Sequence, residues 1–308
     1  MTIIESALQR TKARKAAARP ADVTPDSGAV HEQAARSDPG AIPAAQPPFP
    51  GPAQPSVAVP PATQIHPTPM SVELRAAREQ RVLFARSRAT DRGVMAAYGM
   101  LRTRLLQRMR ANRWTTIGVT SATPHDGKSL TSLNLALSLA REKNSFVVLL
   151  DLDLCKPSLS DYLGITPRVE LAEFFVNKSR EADDLFMSIG VENLIFAGSS
   201  RPTEHSAELL ASGRLEELLQ FIRKYTLNPL ILIDLPPLLS PDDALVVAPR
   251  IDALLIVSSE GVTPRAELQR ALALASSFPI AGLVLNRSTD MPHGYAYGYG
   301  SDQGGSRR

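Results

Sequence analysis

The sequence predicts an α/β fold whose mostly parallel sheet is doubly wound, with helices on both faces. Short apolar segments rich in β-branched residues alternate with longer segments of helical periodicity over residues 94–288. One short segment, residues 146–150, is wholly apolar, which is typical of a parallel strand buried on both faces. Polar residues follow several of these segments directly, and open α/β sheets bind ligands at the carboxyl ends of their strands.

The predicted elements follow one another in a regular order. The first helix covers residues 94–111, and a long amphipathic helix over residues 204–224 carries leucines along one side. Two further helices are predicted at residues 129–140 and 264–277. The strands are predicted at 115–120, 146–150, 230–234, 253–257 and 281–285. This alternation implies parallel strands joined by right-handed crossovers.

The loop after the first strand has the composition of a phosphate-binding loop. Residues 122–129 read Ala-Thr-Pro-His-Asp-Gly-Lys-Ser, with alanine where the usual Walker A pattern begins with glycine. A Gly-Lys-Ser sequence between a strand and a helix is the context in which such a match indicates phosphate binding. Backbone N–H groups at the helix start favour the β- and γ-phosphates. Lys128 would reach those phosphates, and the Ser129 hydroxyl would bind Mg²⁺. The loop therefore predicts a site for a nucleoside triphosphate.

Aspartates end two of the apolar strands. Asp151 and Asp153 follow residues 146–150, and their i, i+2 spacing points both side chains the same way while the strand geometry lasts. Asp234 ends a second strand and precedes Leu and two prolines, which force an extended exit. Aspartate also favours ordinary strand-ending turns. Because anions at the end of an apolar strand are costly without a compensating cation, we expect these carboxylates to hold Mg²⁺.

These motifs, in this order, resemble a known family. The chain contains Gly127-Lys-Ser129, then Leu149-Leu-Asp-Leu-Asp153, and then Ile233-Asp-Leu-Pro-Pro237. The series is similar to the bacterial tyrosine kinases of polysaccharide biosynthesis, and most similar to the exosortase-associated tyrosine autokinases of exopolysaccharide operons. The resemblance runs over residues 94–288, with a short match at residues 1–8. It implies a P-loop NTPase fold.

The resemblance also implies a role for each position. Lys128, Asp151 and Asp153 would form the catalytic set. Asp151 would be the base for the tyrosine hydroxyl or a Mg²⁺ ligand, and the sequence leaves both roles open. Asn286 matches the position that reads adenine. The residues expected to bind ATP are Asp126, Gly127, Lys128, Ser129, Leu130 and Asn286, and the expected Mg²⁺ ligands are Ser129, Asp153 and Asp234.

Three tyrosines near the end of the chain are candidate phosphoacceptors. Tyr295, Tyr297 and Tyr299 lie in a glycine-rich segment and make up half of the six tyrosines of the chain. An autokinase needs an acceptor phenol that can reach an active site, and a glycine-rich segment would give it that reach. The alternative is a low-complexity aromatic tail without this function.

Composition divides the chain into four predicted regions. Residues 1–18 are a short basic amphipathic segment, which would contact anionic lipid or a partner, or else remain a frayed terminus. Residues 19–80 contain about half of the 25 prolines and are predicted to be a long disordered linker. Residues 81–290 would form the P-loop kinase domain. Residues 291–308 would be a flexible tail rich in tyrosine and glycine.

Charge, cysteine content and hydropathy exclude several classes of function. The net charge of +3 is concentrated in the first nineteen residues, so the rest of the chain has no basic surface suited to nucleic acid. Cys155 is the only cysteine, which excludes an intrachain disulfide and suits a reducing compartment. No apolar run reaches about eighteen residues. We therefore expect a cytoplasmic protein, either free or peripheral at the inner face of the plasma membrane.

The resemblance implies a membrane polysaccharide co-polymerase of the chain-length determinant type as partner. Residues 96–102 keep only Arg102 of the Glu-x-x-Arg-x-x-Arg helix with which the family builds rings, so a homo-oligomer stays open. His125 and Cys155 replace a glycine and an arginine of the family pattern. Two other functions also stay open. One is a nucleotide-binding scaffold without catalysis, and the other is a partitioning or cell-division-type ATPase, whose signature lysine would stand where Ala122 does.

Overall fold

The computed structural model describes residues 64–72, 82, 92–240 and 243–288. The predicted basic segment at residues 1–18 and the three tail tyrosines lie outside these residues. The strands are β1 (Thr68–Pro69), β2 (Thr116–Ser121), β3 (Phe146–Asp151), β4 (Met187–Ser188), β5 (Leu194–Ala197), β6 (Pro229–Asp234), β7 (Ala253–Ser259) and β8 (Ile280–Asn286).

Helices connect these strands along the chain. The α-helices are α1 (Arg92–Asn112), α2 (Lys128–Leu139), α3 (Leu159–Leu163), α4 (Leu171–Val176), α5 (Ser206–Ala211), α6 (Arg214–Tyr225), α7 (Asp243–Val247) and α8 (Arg265–Leu274). Three of them, α1, α2 and α8, lie close to the predicted bounds. Short 3₁₀ helices lie at Asp183–Leu185, Ala248–Arg250 and Ala275–Ser277. Among the described residues, no helix combines the length and the apolar composition that crossing a bilayer requires.

The strands form one sheet in the order β1-β4-β5-β3-β6-β2-β7-β8. Every neighbouring pair is parallel except β4 and β5, which run antiparallel. The central strands that lie next to each other, β3 with β6 and β6 with β2, are not consecutive in the chain, so crossover connections must join them. The predicted fold class is confirmed.

Two apolar cores lie on opposite faces of the sheet because successive strand residues alternate between the faces. In β3, Val148 and Leu150 join the core that contains the leucines of α6, whereas Val147 and Leu149 join the core that contains residues of α1 and α2. The sheet is therefore covered by helices on both sides, as the wholly apolar residues 146–150 predicted.

The helix predicted over residues 204–224 is instead two helices, α5 and α6. The chain is extended at Ser212, where ψ is 158°, and the Ser212 hydroxyl donates to the Leu209 carbonyl at 2.5 Å. Gly213 follows and precedes α6. Serine competes with the backbone for hydrogen bonds and glycine is a poor helix former, so the Ser-Gly pair ends the first helix. The leucine pattern continues across the break, which is why periodicity alone missed it.

Residues 64–72 differ from the predicted linker. Strand β1 pairs with β4, and the Gln64 amide donates to the Tyr225 carbonyl at 2.7 Å. Ile65 is buried in the same core as the leucines of α6. An apolar side chain next to backbone groups that can extend a sheet explains why this short part of a proline-rich segment is ordered. The other region boundaries remain predictions.

Candidate nucleotide-binding site

The phosphate loop joins β2 to α2, as predicted. Gly127 precedes α2 with φ of 85°, a left-handed conformation that favours glycine. A Cβ atom at this position would lie 2.3 Å from Nδ2 of Asn286. A side chain at residue 127 would therefore strain the backbone and displace the Asn286 amide. The path of the loop leaves the first backbone N–H groups of α2 without helical partners, which suits an anion.

The Asp126 side chain holds the loop together. Its Oδ2 accepts hydrogen bonds from the backbone N and the Oγ1 of Thr123, at 3.1 and 3.0 Å. Its Oδ1 accepts a hydrogen bond of 2.5 Å from the Thr263 hydroxyl. Asp126 is fully buried. Both oxygens of the Asp126 side chain therefore accept hydrogen bonds from within the protein. Of this residue, the backbone N–H is the group that can bind a phosphate.

Asn286, at the end of β8, contacts the same loop. Its Nδ2 donates to the Asp126 carbonyl at 2.9 Å, and its Oδ1 accepts from the backbone N of Arg287 at 2.9 Å. Both ends of the amide are therefore used within the chain, and the adenine-reading role remains a prediction. The Leu130 side chain packs against the core that α1 and α2 share, so only its backbone is available to the loop.

The predicted aspartates meet Lys128 at the carboxyl edge of the sheet. Asp151 and Asp234 end adjacent parallel strands in register. The Lys128 Nζ lies 2.7 Å from Oδ2 of Asp153 and 3.6 Å from Oδ2 of Asp234. It also lies 3.1 Å from the Ser129 hydroxyl. The Gly-Lys-Ser loop and the strand-ending aspartates, which the sequence indicated as separate motifs, therefore form one buried cluster of charged side chains.

Burial and mutual charge set the protonation of this cluster. Burial of the Lys128 ammonium opposes its charge, but Asp234 and Asp153 outweigh that effect and raise the pKa of Lys128 above its usual range. Burial, followed by the charge of Asp234, raises the pKa of Asp151. Burial also raises the pKa of Asp234, although Lys128 and two serine hydroxyls act in the opposite direction. Lys128 is thus a fixed cation, whereas the raised pKa values of Asp151 and Asp234 mean that these two carboxyl groups hold their protons more readily than usual.

Both oxygens of the Asp151 carboxylate accept hydrogen bonds from backbone N–H groups. Oδ2 accepts from the backbone N of Ser158 and of Leu159, each at 3.0 Å, and Oδ1 accepts from the Asp153 N at 3.2 Å. These bonds fix the start of α3. A raised pKa suits a general base, because proton transfer is most effective when the pKa lies near the working pH. The choice between base and Mg²⁺ ligand stays open.

The oxygen atoms near Lys128 fit a magnesium ion. The Asp234 Oδ2 is buried and has no hydrogen-bond partner. Ser129 and Asp153 supply further oxygens beside it, and oxygen donors are what Mg²⁺ prefers. Among the described residues, no cluster of three His, Cys, Asp or Glu side chains could hold a metal alone. Mg²⁺ usually keeps waters and substrate phosphates as ligands, so one or two protein carboxylates suffice.

Two further residues of the site, Ser132 and Thr263, are not indicated by any of the sequence motifs. Ser132 lies one turn beyond Lys128 in α2, and its hydroxyl donates to Oδ1 of Asp234 at 2.9 Å. The i, i+4 spacing from Lys128 was the available signal. Thr263 follows β7 and contacts Asp126, which lies 137 residues earlier in the sequence, and no local sequence pattern indicates this contact.

Arg102 is the one arginine that remains of the family's Glu-x-x-Arg-x-x-Arg helix. It donates to the Ser138 carbonyl of the same chain at 3.0 Å.

Comparison with known proteins defines the class. Residues 114–294 match the ParA family, described as NUBPL iron-transfer P-loop NTPase. The chain therefore belongs to this family of P-loop NTPases.

Two relatives are named as tyrosine-protein kinases, a more specific class than P-loop NTPases. EpsB of Ralstonia solanacearum, a candidate tyrosine-protein kinase by name, is 28% identical over 76% of this chain and 31% of its own length. Tyrosine-protein kinase YwqD of Bacillus subtilis is 29% identical over 59% of this chain and 75% of its own length. The chain thus spans about a third of the EpsB length. These relatives confirm the resemblance to bacterial tyrosine kinases.

A solved structure supports the fold independently. The kinase domain of Escherichia coli tyrosine kinase ETK superposes with a TM-score of 0.58 and 24% identity. The match covers 75% of this chain and 93% of that domain.

Proposed function

We propose that this chain is an ATP-dependent protein-tyrosine autokinase that regulates exopolysaccharide biosynthesis or export. It transfers the γ-phosphoryl group of ATP to Tyr295, Tyr297 or Tyr299. The observation that carries the proposal is the buried cluster in which Lys128, directly after the left-handed Gly127 of the loop, contacts Asp153 and Asp234. The names of the relatives, which are tyrosine-protein kinases, agree with it.

Phosphoryl transfer needs accurate positioning and charge stabilisation rather than covalent catalysis by the protein. The N–H groups at the start of α2 bind phosphate oxygens, and Lys128 offers its fixed positive charge to the same group. Mg²⁺, when bound, neutralises charge that develops on the phosphates. Ser129, Asp153 and Asp234 would hold it. Asp151 accepts the proton of the tyrosine hydroxyl or completes the metal site.

Two other functions have less support from the structure. A nucleotide-binding scaffold is favoured by the hydrogen bonds that occupy both oxygens of Asp151. A partitioning-type ATPase would need its signature lysine at residue 122, where a buried alanine stands.

The partner and the location belong to the same proposal. ExoP of Rhizobium meliloti, a succinoglycan biosynthesis transport protein by name, is 30% identical over 57% of this chain. We propose a membrane polysaccharide co-polymerase as the partner and a cytoplasmic position, free or at the inner face of the membrane. In this proposal residues 1–18 and 19–80 connect the domain at 81–290 to that partner, and 291–308 carry the acceptors.

Mass spectrometry of the C-terminal peptide, after incubation with Mg²⁺ and ATP, tests the proposal. The wild type is compared with Lys128→Ala, with Asp151→Asn, and with Lys178→Ala, which removes an exposed lysine outside the site. ATP binding is measured separately by calorimetry. Phosphate on the tail of the wild type and Lys178→Ala, but not of Lys128→Ala, is the expected result. A bare tail despite ATP binding, also with a co-polymerase present, would contradict autokinase activity and leave the scaffold.

A further inference from the structure

The phosphate loop is held in its conformation by residues that follow β7 and β8 rather than by the loop alone. Thr263 lies four residues beyond the end of β7. Its hydroxyl accepts a hydrogen bond of 2.7 Å from the backbone N of Ser259 and donates one of 2.5 Å to the Asp126 carboxylate. The Thr263 hydroxyl therefore links the end of β7 to the loop, and a hydroxyl is needed because it both donates and accepts.

A second link comes from the residue where the chain leaves β8. The Arg287 guanidinium donates through Nη2 to the His125 carbonyl at 2.8 Å. His125 and Arg287 both have left-handed backbone conformations, with φ of 67° and 58°. Such conformations are strained for residues with side chains and persist where surrounding contacts hold them. The link thus joins two strained positions, one in the phosphate loop and one directly after β8.

We propose that Thr263 and Arg287 are positioning residues of the phosphate loop, which they hold ready for the triphosphate of a nucleotide. The inference rests on the proposed function for the identity of the ligand, but the state of the loop is measurable without any ligand.

Three threonine variants test this. Thr263→Val removes the hydroxyl at nearly constant volume, and Thr263→Ser retains it. Thr226→Val is the matched control, because the Thr226 hydroxyl is buried without a hydrogen-bond partner. Two quantities are measured for each protein: amide hydrogen exchange of residues 122–129 without nucleotide, and the Kd for Mg·ATP. Arg287→Ala serves as a second variant should Thr263→Val fail to fold.

Thr263→Val should speed the exchange of the loop amides and raise the Kd for Mg·ATP, each about tenfold, since a hydrogen bond to a charged group is lost. The apparent KM for ATP should rise by a similar factor, with kcat changed less than about twofold. Thr263→Ser should restore most of both values, and Thr226→Val should leave them unchanged. A loss of stability alone would not produce this difference between KM and kcat.

Unchanged loop exchange and unchanged affinity in Thr263→Val and Arg287→Ala would overturn the inference. Equal losses in Thr263→Val and Thr263→Ser would also overturn it. If the wild type binds no Mg·ATP, the proposed function fails, while the exchange measurement still decides whether these two residues hold the loop.

Discussion

Replacing Gly127 by alanine tests whether the end of β8 fixes the phosphate loop. A side chain in the left-handed conformation costs about 1–2 kcal/mol. At Gly127, where φ is 85°, the new Cβ would also lie 2.3 Å from Nδ2 of Asn286 and displace the amide that donates to Asp126. A lost hydrogen bond of this kind adds about 1 kcal/mol. We therefore expect Gly127→Ala to lower the free energy of unfolding by about 2–3 kcal/mol.

Gly261 provides the matched control, because its φ is 70° and no atom lies within 4 Å of a Cβ built there. Gly261→Ala should lose only the conformational part, about 1–2 kcal/mol. Urea denaturation is measured for both variants, for Asn286→Ala, and for Gly127→Ala combined with Asn286→Ala. Because the two changes remove the same contact, the double variant should lose about 1 kcal/mol less than the sum of the Gly127→Ala and Asn286→Ala losses. Equal losses in Gly127→Ala and Gly261→Ala would refute the contact between Gly127 and Asn286.

Two further predictions concern the buried acids. Because burial raises the pKa of Asp151, the folded protein keeps this proton to higher pH than the unfolded chain does. The free energy of unfolding should therefore fall as the pH rises above about 4, and Asp151→Asn should make that fall shallower in urea titrations; parallel pH profiles would contradict this. Ser132→Ala removes the hydroxyl that donates to Asp234 and should cost about 1–3 kcal/mol. Thermal unfolding should detect little change in Ser160→Ala, whose buried hydroxyl has no hydrogen-bond partner, and equal losses would disprove the role of Ser132.

The central sheet and the charge cluster were predictable from the sequence because each is encoded locally. A wholly apolar run specifies burial on both faces, and residues 146–150 of β3 form such a run. Parallel strands end at one edge, so the spacing of Asp151 and Asp234 relative to their strands was enough to bring them together. The Gly-Lys-Ser sequence likewise predicted the start of α2.

The remaining features depend on contacts between distant parts of the chain. Strand β4 has two residues and pairs in the opposite direction to its neighbour β5, which no periodic pattern of that length can specify. Thr263 and Arg287 join the loop only because β7 and β8 end beside it. The predicted adenine contact of Asn286 came from resemblance. Residue identity did not indicate that its amide would be bonded to the loop.

The short strand β1 determines where the chain can be truncated without disrupting the domain. Its backbone covers one side of β4, with the Thr68 amide donating to Phe186 and the Met70 amide donating to Ser188, each at 2.9 Å. A fragment that begins at Arg92 would leave the open edge of β4 unpaired and would empty the site that Ile65 fills in the core. Uncovered sheet edges recruit strands from other molecules, so such a fragment should self-associate. Residues that composition assigns to a linker thus belong to the sheet and to its core.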